Sequence, residues 1–181
     1  AAGNSRRFGS NKLMYEVEGN TMYLRTLRQL QKAAAKMQNS RIVVVTQEKY
    51  AEIIDAAKEI GAEVLINPQP ERGISSSMQI GLEIAKDADA CLFTVSDQPW
   101  LTAETIIALH DAFQSENKGM ACTVWGEKTG NPCIFSEKYY KELMAISGDK
   151  GGKQIIKKHP EDVAYLKISD ERELQDVDVP L

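Results

Sequence analysis

The sequence predicts one three-layer α/β domain built around a mostly parallel sheet, and three observations predict it. Helix-like and strand-like segments alternate along the chain, the pattern of βαβ units. The strand-like segments are nearly continuous apolar runs, such as R-I-V-V-V-T at 41–46 and A-D-A-C-L-F-T-V at 88–95, which implies burial on both faces. The length of 181 residues fits roughly one domain and is enough for a real core without staples.

The segments follow in order. Residues 21–36 carry Met22, Leu24, Leu27, Leu30 and Ala34 at helical spacing. Residues 41–46 form a β-branched run, read as a strand. A helix is expected over 48–60, stopped by Gly61, and a strand over 63–66. A helix over 76–86 places Ile80, Leu82 and Ile84 among its apolar positions. The longest apolar strand is 88–95, and the next helix runs over 102–117 with Thr102 as its N-cap. Strands are expected at 120–125 and 132–135, helices at 136–146 and 150–158, and a last strand at 163–168. No repeat or linker interrupts this series, so residues 1–181 are read as a single domain. The chain opens on Ala1-Ala2-Gly3 rather than on a strand, and a first strand is expected upstream of residue 1.

Composition excludes several classes of function. Lys and Arg number 22 against 26 Asp and Glu, for a net charge of −4 and a pI near 5.3. That balance disfavours general nucleic-acid binding. Apolar runs are strand-sized, so no membrane span is expected. No leader pattern is visible at the start, and a cytoplasmic protein is expected. Cys91, Cys122 and Cys133 are odd in number and form no C-x-x-C, so they read as small buried hydrophobes in a reducing compartment. No oligomer surface is evident, and a monomer is the default.

Polar clusters carry the chemistry. The opening A-A-G-N-S-R-R-F-G-S-N-K is neither a P-loop nor G-x-G-x-x-G. It still has the parts of an anion cradle: Gly3 and Gly9 allow close backbone approach, and Arg6, Arg7 and Lys12 bring three positive charges. A flexible basic loop is the alternative. Asp97, in V-S-D-Q-P, follows the longest apolar strand, where ligands bind in open α/β sheets. One carboxylate there suits a magnesium ion that keeps its waters, and a turn Asp is the alternative. Asp149, in S-G-D-K-G-G-K, is either a second site carboxylate or a helix cap. Asp176 and Asp178 alternate with Val177 and Val179, either on one side of a strand-like edge or in a solvated tail. Gly73 precedes Ser75, Ser76 and Ser77, whose hydroxyls and free N–H groups favour an anion or a nucleobase edge. Asn131, in G-N-P-C, is a further candidate for the cleft. His110 and His159 lack ligand-spaced partners and read as structural, and Trp100 and Trp125 read as packing residues.

Taken in order, A-A-G-N-S-R-R-F-G-S-N-K-L, N-P-x4-G-I-S-S-S-M-Q-x-G-L, S-D-Q-P-W-L-T, G-N-P-C-I-F, G-D-K-G-G-K and D-V-D-V-P resemble the MobA-like nucleotidyltransferases. Among these the sequence is most similar to the MocA-type molybdenum cofactor cytidylyltransferases. The resemblance implies a Rossmann-like nucleotidyltransferase fold. It implies Mg²⁺-dependent transfer of CMP from CTP to the terminal phosphate of molybdopterin cofactor, with release of pyrophosphate. By the same resemblance, Ala2, Gly3, Asn4, Ser5, Arg7 and Lys12 bind the nucleotide, with Ala2 favouring CTP and with Arg7 and Lys12 on the triphosphate. Gly73, Ser75, Ser76 and Ser77 lie near the base and ribose, and Asn131 and Asp149 face the acceptor. Asp97 and Asp178 match the metal aspartates, although Val179 stands where Thr is usual and Lys153 where Arg is common. A molybdenum hydroxylase is the implied client. Transfer from GTP, transfer to a sugar phosphate, and a non-catalytic cofactor carrier are the alternatives.

Overall fold

The computed structural model describes residues 11–178. The helices and strands fall close to their expected places: α1 (Met22–Ala34), β3 (Val43–Thr46), α2 (Ala51–Glu59), β4 (Glu63–Ile66), α3 (Ile74–Ile84), β5 (Ala90–Phe93), α4 (Ala103–Glu116), β6 (Met120–Trp125), β7 (Lys128–Ser136), α5 (Tyr140–Met144), α6 (Lys153–Lys158) and β8 (Val163–Lys167). Ahead of them lies a small hairpin, β1 (Glu16–Val17) and β2 (Asn20–Thr21), which the periodicity does not reveal. Its two turn residues, Glu18 and Gly19, both have positive φ, which matches the twist of a tight hairpin.

Strands β3 and β4 pair in parallel. The larger sheet has the order β5-β7-β6-β8. Strands β5, β6 and β8 share one direction, and β7 is the one reversed strand among them. The reason is local. Only Gly126 and Glu127 separate β6 from β7, and so short a connection permits antiparallel pairing alone. The strand expected at 132–135 therefore begins earlier, at Lys128.

Side chains alternate across this sheet. Met120, Cys122, Cys133, Phe135 and Val163 face Leu82, Leu143, Ile155 and Ile156 of α3, α5 and α6. Ala121, Ile134 and Ala164 face Leu109 of α4 on the other side. Ile106 of α4 packs in turn with Ala33 of α1. Helices thus cover both faces, as continuous apolar strands require. Each fully buried Leu or Ile contributes about 1.5–3 kcal/mol. Thr102 caps α4, its Oγ1 accepting from the Thr105 N–H at 3.2 Å. Among the described residues, no helix is long and apolar enough to cross a membrane.

Two expected helices are shorter than their patterns. The 136–146 stretch divides into a 3₁₀ turn (Glu137–Tyr139) and α5, and the 150–158 helix begins only at Lys153. Trp125 is 40% exposed at the end of β6 rather than packed in the core. The three cysteines are free, as expected, with Cys122 and Cys133 buried on facing strands. Burial pushes the Cys122 thiol up to about 11.

Asp162 secures the start of β8. It accepts from the Tyr139 hydroxyl at 2.6 Å, from Lys138 at 2.9 Å and from the Gly119 N–H at 3.0 Å. These bonds, the Tyr139 one foremost, hold its carboxyl well below the usual range. A depressed carboxylate stabilises the fold above its unfolded pKa, and the contribution disappears as pH falls through the folded value. Asp162→Asn should therefore lower the melting temperature by roughly 2–6 °C at pH 7. The gap to the parent protein should narrow steadily below pH 4, as thermal scans across pH would record.

Candidate active site

The first site residue is placed by its neighbours. Asn11 caps a 3₁₀ turn (Lys12–Met14), its Oδ1 accepting from the Leu13 N–H at 3.2 Å. Leu13 is buried with Tyr23 and Leu27 of α1 and Val44 of β3. Lys12 is thereby held with its side chain turned toward the loop that follows β5. There its Nζ donates to Asp97 Oδ2 at 2.6 Å and to Asp178 Oδ1 at 2.9 Å. Burial works against the ammonium, but the bonds to Asp178 and Asp97 outweigh it and raise the Lys12 pKa above the ordinary lysine value.

Asp178 reaches this point because the chain after β8 turns back. Residues 168–178 pass over the carboxyl ends of the strands and are fastened at several points. Ile168 N–H donates to Val124 O at 3.1 Å. The buried Glu173 carboxylate accepts from the Thr102 N–H and hydroxyl, each at 3.1 Å, at the start of α4. Leu174 packs against Gly130 so closely that a Cβ there would overlap it. The Gln98 amide Nε2 donates to Asp176 Oδ1 at 2.7 Å and to Leu174 O at 3.3 Å. Val177 N–H donates to Asp97 O at 3.0 Å, and its side chain is buried with Val17 and Met22. The C-terminal acidic stretch is thus part of the fold up to Asp178, not a solvated tail. Desolvation, aided by the charges of Asp97 and Asp178, pushes the Asp176 carboxyl above its usual range against the pull of Gln98 and Lys153.

Asp97 and Asp178 thus converge on one cation. Two carboxylates offering hard oxygens fit a divalent metal that keeps most of its waters. Among the described residues, no group of three or more His, Cys, Asp and Glu side chains is arranged to hold a metal. Any metal here would rest on this pair together with water and substrate oxygens.

A second cluster gathers the remaining candidates. Asn67, which is buried, donates from Nδ2 to the hydroxyls of Ser76 and Ser77, both at 2.9 Å. Ser76 Oγ donates to Gly73 O at 2.8 Å, and Ser75 N–H donates to Gly148 O at 3.2 Å. The start of α3 is in this way docked on the 147–152 loop. Gly73 has φ +90°, and a Cβ on it would lie 2.5 Å from the Gly148 carbonyl carbon and 2.6 Å from Asp149 Oδ1. Asp149 is not the cap of α6, whose N-cap is Gly152. It sits against Gly73 instead, so the candidates for the nucleotide side and the acceptor side touch. Asn131 lies within β7, two residues before the Cys133 that pairs with Phe93 of β5. Its backbone carbonyl accepts from Thr123 Oγ1 at 2.9 Å.

Ala2, Gly3, Asn4, Ser5 and Arg7 lie outside the described residues. Sequence reasoning does not single out Gln98, Glu173 or Asn67. Gln98 and Asn67 stand within quoted motifs, each beside a chain-breaking Pro or a site Asp, and that is the available signal. Glu173 carries none. The histidines serve elsewhere: His110 lies 3.3 Å from Asp111, while His159 meets Glu142 at 3.2 Å and packs at a tilt against the Tyr139 ring. Trp100 donates to Glu18 at 3.3 Å beside the Val17 and Met22 cluster, a packing role.

Comparison with known proteins places this geometry. The MobA-like NTP transferase domain matches residues 1–163. The chain is 27% identical over 194 residues to the purine catabolism protein PucB of Bacillus subtilis, covering 99% of this chain and 89% of that one. It is 26% identical over 153 residues to a probable molybdenum cofactor guanylyltransferase of Pyrococcus horikoshii, covering 83% and 71%. Its fold is shared with Rv0371c of Mycobacterium tuberculosis, at 22% identity and a TM-score of 0.80 over 99% of this chain and 89% of that one. That protein was also solved in complex with manganese. With Rossmann-like α/β layering and a basic and acidic centre at the carboxyl edge of its sheet, the chain belongs to the MobA-like NTP transferase family of nucleotidyltransferases.

Proposed function

We propose that the protein transfers CMP from CTP to the terminal phosphate of molybdopterin cofactor and releases pyrophosphate. The observation that carries this reading is the convergence of Lys12, Asp97 and Asp178 from three distant parts of the chain. Asp97 and Asp178 would hold the metal, Mg²⁺ in this reading. When bound, it supplies the positive charge that neutralises phosphate oxygens. Manganese in the Mycobacterium relative supports a hard divalent ion here.

The protein's own side chains do the rest. Lys12, the cation that the two carboxylates hold in the free protein, passes to the triphosphate and neutralises the leaving pyrophosphate. Arg7 acts with it, by resemblance to the family. Residues 73–77, set by Asn67, frame the base and ribose. Asn131 and Asp149 face the acceptor and hold its phosphate in line. The attacking phosphate monoester is already anionic at pH 7, so no general base is needed. The engagement of both histidines with other carboxylates agrees with that. A molybdenum hydroxylase is the proposed client, and the name of the Bacillus relative favours one that serves purine catabolism.

GTP is the second reading, favoured by the name of the Pyrococcus relative. Pyrophosphate release should be measured with CTP, GTP, ATP and UTP in turn, each with Mg²⁺ and purified molybdenum cofactor. Release with CTP at least tenfold faster than with the others is the expected result, about the discrimination a base-reading pocket provides. Faster release with GTP selects the second reading. Tight cofactor binding with no release from any nucleotide would make the protein a carrier instead.

A further inference from the structure

We propose that Gln98 is the positioning residue that holds Asp178 opposite Asp97, a proposal that rests on reading those two aspartates as the metal-holding pair. The side chain of Asp178 is 56% exposed. Besides its bond from Lys12, what aims this carboxylate is the backbone that carries it. Gln98 fixes it. It is only 3% exposed, and the two hydrogens of its Nε2 are spent on residues 174–178: one on Leu174 O at 3.3 Å, one on Asp176 Oδ1 at 2.7 Å.

Gln98 is also the neighbour of Asp97 in sequence. The same short loop therefore carries the first carboxylate and grips the segment that carries the second. The Val177 N–H to Asp97 O bond, 3.0 Å long, closes the register between them. Alternation completes the arrangement: Val177 is buried at 2% exposure, while Asp176 on one side of it meets Gln98 and Asp178 on the other meets Lys12.

The choice of residue is informative. The Gln98 Oε1 is buried with no hydrogen-bond partner, whereas both hydrogens of Nε2 are used. An orphaned buried acceptor is unfavourable, so the amide stands there for its donor side. Glutamate has the same shape and cannot donate. It would also set a third negative charge against Asp176 and Asp97. Groups that orient metal-holding carboxylates typically change metal affinity 10–100-fold when lost.

The test uses the whole chain with CTP and Mn²⁺, reading metal binding by electron paramagnetic resonance and folding by thermal melting. Gln98→Glu should weaken Mn²⁺ binding at least tenfold. Asp176→Asn alone keeps an acceptor for Nε2 and should stay within about threefold of the parent. The double variant Gln98→Glu with Asp176→Asn restores the pair between 98 and 176 with donor and acceptor exchanged, though not the bond to Leu174 O, and should recover part of the lost affinity, at least about threefold. A residue that merely supports the fold would lower the melting temperature and would not be rescued by this exchange. Unchanged Mn²⁺ binding in Gln98→Glu overturns the proposal, as does a double variant as weak as the single one. Asp97→Asn serves as the reference. If it leaves Mn²⁺ binding intact, the reading of the carboxylate pair itself fails; if it abolishes binding while Gln98→Glu does not, only the role of Gln98 fails.

Discussion

Asp97→Asn is expected to slow pyrophosphate release on the order of 10³-fold while moving the melting temperature by only a few degrees. The side chain keeps its size and one oxygen, so the loop after β5 keeps its backbone bond to Val177. What changes is charge. With a neutral amide at this position, only Asp178 of the two carboxylates would still face Lys12. One carboxylate with a half-exposed side chain is a poor anchor for a hard cation. In the proposed reaction the loss should fall mainly on the maximal rate, because the missing charge would act on phosphates as the bond is transferred. Steady-state kinetics at saturating CTP, paired with a melting curve, would read both quantities. Turnover within tenfold of the parent would remove Asp97 from the centre of the mechanism.

The largest structural effect is expected at Gly73. Gly73→Ala should destabilise the protein by about 3 kcal/mol, combining a strained positive φ with overlap against backbone. In a chain of this length that corresponds to a fall of roughly 6–12 °C in melting temperature. The overlap cannot be relieved by a side-chain rotation, since two of its three partners are the Gly148 carbonyl carbon and oxygen. Either the start of α3 or the 147–152 loop must move. Because these carry the candidates for the nucleotide and for the acceptor, the Michaelis constants for both substrates should rise together. Gly148→Ala is the control. It also has positive φ, at +71°, but a Cβ there meets nothing within 4 Å. It should cost about 1 kcal/mol, or roughly 2–4 °C. Equal effects at the two glycines would show that backbone strain alone is at work and that the contact between the two loops is unimportant.

Much of the architecture was legible in the sequence. The α1, α4 and β6 segments declare themselves by period and by caps, and Thr102 is the N-cap that its position suggests. The departures have short-range causes that hydrophobic pattern does not register. A two-residue turn at Gly126 and Glu127 converts β6 and β7 into a hairpin and reverses one strand of an otherwise unidirectional set. Positive φ at Glu18 and Gly19 makes a hairpin from two residues on each side, too few to show alternation.

The candidate site divides along the same line. Residue type and place in the chain, a carboxylate just past the longest apolar strand and a lysine in a basic glycine-containing loop, were enough to name Asp97 and Lys12 as candidates. Those signals are local, because strand ends and turns are written within a few residues. That Lys12 meets Asp178 across 166 positions, and that Gln98 ties Asp176 across 78, has no local signature. Such contacts depend on the path of residues 168–178 back over the sheet. That path is set by single hydrogen bonds to Thr102, Gln98 and Asp97 and by the space that Gly130 leaves for Leu174. The sequence by itself determined which segments are helix and strand and where charge gathers. Only the tertiary structure decided which charges share a cation, because that pairing is made of bonds between side chains and backbone far apart in the chain.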